Sequence, residues 1–175
     1  VIQSRPSLEI RVNCVTSNRI RNRLTFILQA NRKRVPMDAG VAQLEITPPV
    51  GIDLTGYIAR GGPAIGVHDP IYAKALVFDN GATQVALLTV DVLGLHLPFV
   101  NSVRAAIETR CGIPAANILI ACSHTHAGPA TMWLEGCGAI DEPYQARLHQ
   151  ALVDGTDTAW RQRQPVRLGV GHGEV

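Results

Sequence analysis

Alternating apolar and polar positions predict three strands in the first half of the chain. Residues 41–46 alternate with a period of two, which is typical of a strand with one buried face. A long glycine-rich loop follows, and residues 72–79 form a second apolar segment. The Asn80-Gly81 pair then favours a tight hairpin, whose second strand covers residues 83–92. The apolar run of this third strand is nearly continuous, so we expect both of its faces to be covered.

Helical and strand-like patterns alternate in the second half. Apolar residues recur at helical spacing over residues 98–111 and again over residues 143–164. Between them, residues 117–122 are short, apolar and β-branched, as in a buried central strand, and residues 166–171 resemble a last strand. A strand, a helix and a strand in this order predict a parallel βαβ unit. The fold class that we predict is therefore α/β, with helices flanking a mixed, largely parallel sheet.

Composition limits the class of protein. The chain has 175 residues, of which 46% are apolar and 17% are charged. This length and this composition allow one compact domain with a buried core, and they exclude a wholly disordered chain. The longest apolar stretch, residues 85–100, is interrupted by an aspartate, a histidine and a proline. A membrane-spanning helix needs about 20 nearly uninterrupted apolar residues, so the sequence predicts none.

Charge divides the chain before Met37. Residues 1–36 contain eight basic residues and one acidic residue, a net charge of +7, whereas residues 37–175 contain eight basic and thirteen acidic residues, a net charge of −5. We interpret residues 1–36 as a basic N-terminal arm, disordered or translated from upstream of a start at Met37; an organelle presequence and a nucleic-acid tail are the alternatives. The acidic remainder predicts no nucleic-acid partner. Since no secretory signal is visible, the default expectation is a cytoplasmic location.

The candidate chemistry lies directly after the buried strand of residues 117–122, in the motif Ser-His-Thr-His-Ala-Gly-Pro at residues 123–129. Ligands bind beyond the carboxyl ends of strands in α/β sheets. If the strand persists to His126, the period of two places His124 and His126 on one face, and two imidazoles can bind zinc there. The alternatives are a chance pair, or histidines that satisfy backbone carbonyl groups. Cys122 is a poor nucleophile candidate, because burial in an apolar strand raises the pKa of a thiol.

Two further residues are candidates for the same site. His68 begins the second strand and reaches the crevice if that strand neighbours the one before the motif; otherwise it is a loop histidine paired with Asp69. Asp91 interrupts an apolar strand, so its carboxylate needs a partner. That partner is either the N–H of an imidazole ring, or a helix end or loop amide groups. Met132, Trp133 and Leu134 follow the histidine motif and either line a lip for a hydrophobic substrate or pack in the ordinary way.

The order and spacing of several short motifs resemble the amino-terminal portion of the neutral/alkaline, non-lysosomal ceramidase family. The resemblance begins near Ala39 and leaves residues 1–36 outside. Its motifs are E-I-T-P-P at 45–49, G-Y at 56–57, G-V-H-D-P at 66–70, T-V-D at 89–91, N-I-L-I at 117–120 and, most specific of all, S-H-T-H-A-G-P at 123–129. Residues 37–175 are therefore interpreted as a partial ceramidase-like catalytic domain.

The resemblance implies a zinc-dependent amidase that cleaves the N-acyl bond of ceramide to give sphingosine and a fatty acid. It implies that His124 is a zinc ligand and that His126 lines the substrate side. We add His68 and Asp91, from the residue pattern, as further members of the catalytic site. The family takes its other ligands, a histidine, a glutamate and a tyrosine, from sequence beyond the matched segment. We therefore expect an incomplete domain and an inactive fragment.

Two alternatives to this function stay open. One is a related metallohydrolase that acts on another amide or on an ester. The other is a non-catalytic fragment whose basic arm binds nucleic acid or an acidic membrane surface. Under the first interpretation the partner is a ceramide-like lipid, and a peripheral membrane surface is a further candidate partner.

Overall fold

Two α-helices lie against a five-stranded sheet in the computed structural model, which describes residues 36–58 and 60–169. The elements of this part of the chain, in order, are β1 (Asp38–Glu45), β2 (Tyr72–Asp79), β3 (Gln84–Val90), α1 (Leu97–Cys111), a 3-10 turn (Ala115–Asn117), β4 (Ile118–Cys122), α2 (Glu142–Arg161) and β5 (Gln164–Pro165). None of the described helices is long and apolar enough to cross a membrane. The predicted arm, apart from its last residue, falls outside the described residues.

The α/β class and the mixed sheet are confirmed, but the prediction of a largely parallel sheet is wrong. The strand order is β4-β3-β2-β1-β5, and among the described strands only the pair β3 and β4 is parallel. The other three pairs are antiparallel. The reason lies in the connections: only α1 forms a helical crossover between neighbouring strands, whereas β2 and β3 are joined by a tight turn, which forces them to be antiparallel.

The prediction of a last strand over residues 166–171 is also wrong. The structure has a two-residue strand directly before residue 166, in which Gln164 and Pro165 pair with Ala39 and Asp38. Residues 166–169 are irregular, and residues 170–171 lie outside the described part. Helix α2 ends at Arg161, so the chain reaches the sheet edge sooner than the apolar pattern indicated.

One face of the sheet shares a single core with both helices. The buried sheet residues alternate along the central strands, and they are Ala73, Ala75, Val77, Ala86, Leu88 and Val90. Buried residues of both helices, such as Ile107 and Leu148, complete the same core. On the other face, Leu87 is partly exposed and Thr89 is exposed. The prediction that β3 is covered on both faces is therefore wrong for the described residues.

Close contacts hold α2 on β1 at both ends of the helix. A Cβ atom at Gly40 would overlap the carbonyl group of Ala159, so only glycine lets the two backbones approach this closely. Near the start of the helix, the buried Tyr144 hydroxyl donates a hydrogen bond to the carbonyl oxygen of Ile46 at 2.7 Å. Burial raises the pKa of Tyr144 well above its ordinary value. The hydroxyl therefore stays protonated and remains a donor.

The carboxyl ends of the two parallel strands meet at one edge of the sheet. Val90 at the end of β3 lies opposite Cys122 at the end of β4. The loops that follow both strands, residues 91–96 and 123–141, consequently start side by side. This edge carries the histidine motif.

Candidate active site

The histidine motif leaves β4 through a sharp turn that is fastened to the end of β3. The amide groups of Ser123 and His124 donate to the carbonyl oxygens of Val90 and Val92, at 3.0 and 3.1 Å. His124 has a φ angle of 60°, and among the described residues no other non-glycine residue has a positive φ. Such a backbone costs about 1–3 kcal/mol and persists only where the surroundings enforce it. The strand therefore ends at Cys122, and the expectation that it persists to residue 126 is wrong.

The two imidazole rings nevertheless lie next to each other. Their centroids are 5.0 Å apart, with the ring planes at 72°. Both rings line a cavity of about 280 Å³, here called the histidine cavity. Its other walls include Leu93, Leu134 and Glu135. The two rings come together at a left-handed turn at His124, and not through the alternation of side chains along a strand.

A backbone contact sets the tautomer of the neutral His124 ring. Its Nδ1 atom lies 2.9 Å from the carbonyl oxygen of Leu93. A carbonyl oxygen can only accept a hydrogen bond, so Nδ1 carries a proton, and in the neutral ring the lone pair is then on Nε2. In this tautomer Nε2 is the nitrogen that can bind a metal ion, and a hydrogen bond from the other ring nitrogen is the usual way in which proteins orient such a ligand.

His126 is held by a loop that the motif itself does not reveal. The Tyr57 ring meets the His126 ring edge-on at 5.3 Å, and a terminal guanidinium nitrogen of Arg60 donates to the His126 carbonyl oxygen at 2.8 Å. Gly56, with a φ of 101°, lies directly against the ring: an added Cβ would be 2.7 Å from Cγ of His126. These contacts restrict both the backbone and the ring of His126.

The same loop runs antiparallel to the end of the motif. The Thr55 amide donates to the carbonyl oxygen of Gly128 at 3.1 Å, and the Ala130 amide donates to that of Asp53 at 2.9 Å. An isolated bridge between Leu54 and Pro129 lies between these two bonds. Residues 53–55 therefore anchor the loop, so that Gly56, Tyr57 and Arg60 meet His126 in a defined position.

The structure does not place His68 in the histidine cavity. Its side chain is 98% exposed, and its Nδ1 atom lies 2.7 Å from a carboxylate oxygen of Asp69. This is the loop pairing that the sequence left open as an alternative. His68 lines a second cavity, which is described below, and it is not among the residues that line the histidine cavity.

The Asp91 carboxylate is hydrogen-bonded to the backbone of β2. It accepts a hydrogen bond from the Tyr72 amide at 3.0 Å, and the Asp91 amide donates to the Tyr72 carbonyl oxygen at 2.9 Å. The carboxylate thus extends the pairing of β2 with β3 by one residue. Among its described hydrogen bonds none reaches an imidazole ring. The interaction with amide groups, one of the alternatives open from the sequence, accounts for this residue.

The apolar residues after the motif have separate positions. Leu134 lines the histidine cavity, whereas the Trp133 side chain is 67% exposed and its amide donates to Nε2 of His96 at 2.8 Å. Burial raises the pKa of the Cys122 thiol, which is the direction expected from the sequence. Sequence reasoning had no signal for Arg60 or for the Leu93 carbonyl group, because neither belongs to a motif of chemically active side chains.

The residues at this site fit a metal ion only in part. His124 presents a free Nε2 atom, and a second imidazole lies beside it. Within residues 36–58 and 60–169, however, no group of three or more histidine, cysteine, aspartate or glutamate side chains is close enough to hold a metal ion. A catalytic zinc site typically uses three protein ligands. The described residues therefore supply part of such a ligand set.

Comparisons with known proteins agree with this fold. The crystal structure of the neutral ceramidase from Pseudomonas aeruginosa matches over 76% of the chain, with 20% identity and a TM-score of 0.65. A solved structure described as "Ceramidase complexed with C2" matches over 75% of the chain, with 21% identity and a TM-score of 0.66. The chain spans only 23% and 22% of those two chains. At this identity the structural matches establish a shared fold.

The sequence comparison covers most of the chain. Residues 37–175 match the family model described as "Neutral/alkaline non-lysosomal ceramidase, N-terminal". The matched segment begins where the charge of the chain changes sign, and it includes both histidines of the motif. The chain therefore belongs to the neutral/alkaline non-lysosomal ceramidase family.

Proposed function

We propose that the protein is a zinc-dependent amidohydrolase that cleaves the N-acyl bond of ceramide to give sphingosine and a fatty acid. Family membership supports the hydrolase class. The observation that carries the metal role is the hydrogen bond between Nδ1 of His124 and the Leu93 carbonyl oxygen, which leaves Nε2 of His124 free. A lipid amide is the substrate class that the family description favours.

His124 is the residue of the described chain that would hold the zinc ion, through Nε2. Bound zinc supplies Lewis acidity, which polarises a carbonyl oxygen and lowers the pKa of a bound water molecule to about 7. The strained backbone of His124 and the Leu93 carbonyl group fix the direction of the ring before any ligand binds. Since two imidazoles are fewer than three ligands, we expect the 175 residues alone to be inactive.

His126 acts on the substrate beside this ligand. A neutral imidazole ring can accept a proton at one nitrogen and donate one from the other, and free imidazole titrates near neutral pH. His126 therefore donates a hydrogen bond to the developing oxyanion, or carries a proton to the departing amine. Its contacts with Gly56, Tyr57 and Arg60 keep the ring within the cavity while the proton moves.

The test is hydrolysis of a fluorescent N-acylsphingosine, beside short acyl amides and esters, by the longest protein that the reading frame encodes. We expect that o-phenanthroline and His124→Ala each abolish turnover and that added zinc restores only the chelated enzyme. His149→Ala is the matched control, because His149 lies on α2 and contacts Phe99 rather than the site. Turnover that survives both treatments would overturn the metal role.

A further inference from the structure

A second and larger cavity lies beside the histidine cavity. Its volume is about 440 Å³, within the range of roughly 300–1,000 Å³ that is usual for small-molecule sites. Most of its wall is aliphatic, and the aliphatic residues include Pro48, Val50, Leu54, Ala64, Val67 and Ile71. We call it the chain cavity.

The two cavities share one wall, which is the histidine motif. Thr125 and Ala127 line the chain cavity, whereas His124 and His126 line the histidine cavity. Successive residues of the motif therefore face different cavities. The thickness of one polypeptide segment separates the apolar space from the two imidazoles. A ligand that occupies both spaces has its apolar part next to its reactive part.

The titratable groups that line the chain cavity are at its exposed side. His68 and Asp69 are 98% and 83% exposed and form a hydrogen-bonded pair at 2.7 Å. Deeper in the wall, Leu54 and Ile71 are partly buried and pack against the core. The cavity is thus open to water on the side of the His68–Asp69 pair, and its inner lining offers aliphatic contacts to a ligand.

We infer that the chain cavity binds one hydrocarbon chain of the lipid substrate, an inference that rests on the proposed function. An aliphatic wall without a charged group on its inner side favours an unbranched hydrocarbon over a polar head group. The two hydrocarbon chains of an N-acylated long-chain base share this chemistry. The shared wall then keeps the bound chain close to the histidines that act on the amide.

The direct test is binding of a naturally fluorescent polyene fatty acid to the 175-residue chain, with competition by saturated fatty acids from butyrate to palmitate. Each added methylene should tighten binding roughly fourfold until the cavity is filled. Affinity that does not depend on chain length would overturn the inference. The measurement needs neither zinc nor turnover, so His124→Ala should leave this affinity unchanged even if the proposed hydrolysis proves wrong.

Blocking variants locate the binding. Gly66 lines the chain cavity, has no positive φ and has no atom within 4 Å of an added Cβ, so Gly66→Phe adds bulk without backbone strain. Ala64→Leu is a second, smaller obstruction. Gly62→Phe is the matched control, since Gly62 is equally open but does not line the cavity. We expect at least a tenfold loss of long-chain affinity in the two cavity variants; losses equal to that of the control would overturn the inference.

Turnover by the longest protein that the reading frame encodes, loaded with zinc, then identifies which hydrocarbon chain is bound. One substrate series varies the N-acyl chain at a constant base, and the other varies the base at a constant acyl group. The series whose dependence on length disappears in Gly66→Phe contains the chain that occupies the cavity. If both series keep their dependence, the hydrocarbon binds elsewhere and the inference is wrong.

Discussion

Gly56→Ala tests whether the loop before His126 holds its ring by direct contact. The φ angle of Gly56 is 101°, a conformation that alanine adopts only with strain. An added Cβ would lie 2.7 Å from Cγ and 2.8 Å from Cα and Cβ of His126. These distances are far shorter than an ordinary contact between carbon atoms of about 3.5–4.0 Å. Either the ring or the loop must therefore move.

Gly51→Ala separates the free-energy cost of backbone strain from the cost of the overlap with His126. Gly51 has a φ angle of 95°, close to that of Gly56, but nothing lies within 4 Å of its added Cβ. This control should lose only the conformational part, about 1 kcal/mol of the free energy of unfolding. Gly56→Ala should lose a further 1–3 kcal/mol or so, which is the usual cost of forcing extra atoms into a packed site.

Two measurements decide the outcome. Urea unfolding gives the two free energies, provided that the slope with denaturant is the same in both variants. NMR of the imidazole groups should show a large change for His126 in Gly56→Ala and none in Gly51→Ala. Equal losses of stability, with unchanged His126 resonances in both variants, would refute the contact between the loop and the ring.

Two further predictions concern α2. Hydrogen bonding to Arg161, at 2.9 Å, and the charge of Arg110 hold the pKa of Asp157 below its usual value. Asp157→Asn should therefore reduce stability at neutral pH, and in urea titrations this difference should shrink as the pH falls below about 4; a difference that is constant with pH would contradict it. Tyr144→Phe removes the donor to the Ile46 carbonyl oxygen and should cost about 1–3 kcal/mol in urea unfolding, whereas an unchanged midpoint would contradict this role.

Local signals in the sequence were sufficient for the hairpin between β2 and β3. Gly81 has a φ angle of 82°, and the Asn80 side chain accepts hydrogen bonds from the amides of Ala82 and Thr83. Both features depend on residues within the turn itself, so the pair predicts them. The position of β5 has no such local signal, because it depends on where α2 ends and on which sheet edge is free.

The neighbouring position of the two imidazole rings was predictable from the sequence, and the backbone geometry that produces it was not. The H-x-H spacing predicted two neighbouring imidazoles, but it relied on a strand that ends before His124. The left-handed turn at His124, the Leu93 carbonyl group and the Arg60 contact arise from segments far apart in sequence. Periodicity describes one element at a time, so it carries no information on such contacts.

His68 is a second case in which the sequence pattern did not predict contacts between separate elements. The pattern predicted that His68 begins the second strand, but β2 begins at Tyr72 and His68 lies in the loop before it. We also proposed from the sequence that His68 approaches the histidine pair if β2 neighbours β4. In the sheet β3 lies between these two strands, and the His68 side chain lines the chain cavity instead. Its proposed catalytic role therefore depends on a neighbourhood that the strand order does not provide.

The central claim is that His124 offers Nε2 to zinc while its Nδ1–H group stays hydrogen-bonded to the Leu93 carbonyl oxygen. The most direct measurement is a zinc titration of the chain followed by the ¹⁵N resonances of the imidazole groups. We predict that His124 is in the Nδ1–H tautomer before zinc is added and that zinc shifts its Nε2 resonance, with no such change at His149. Zinc binding of undiminished affinity in His124→Ala, or a free ring in the opposite tautomer, would contradict the claim.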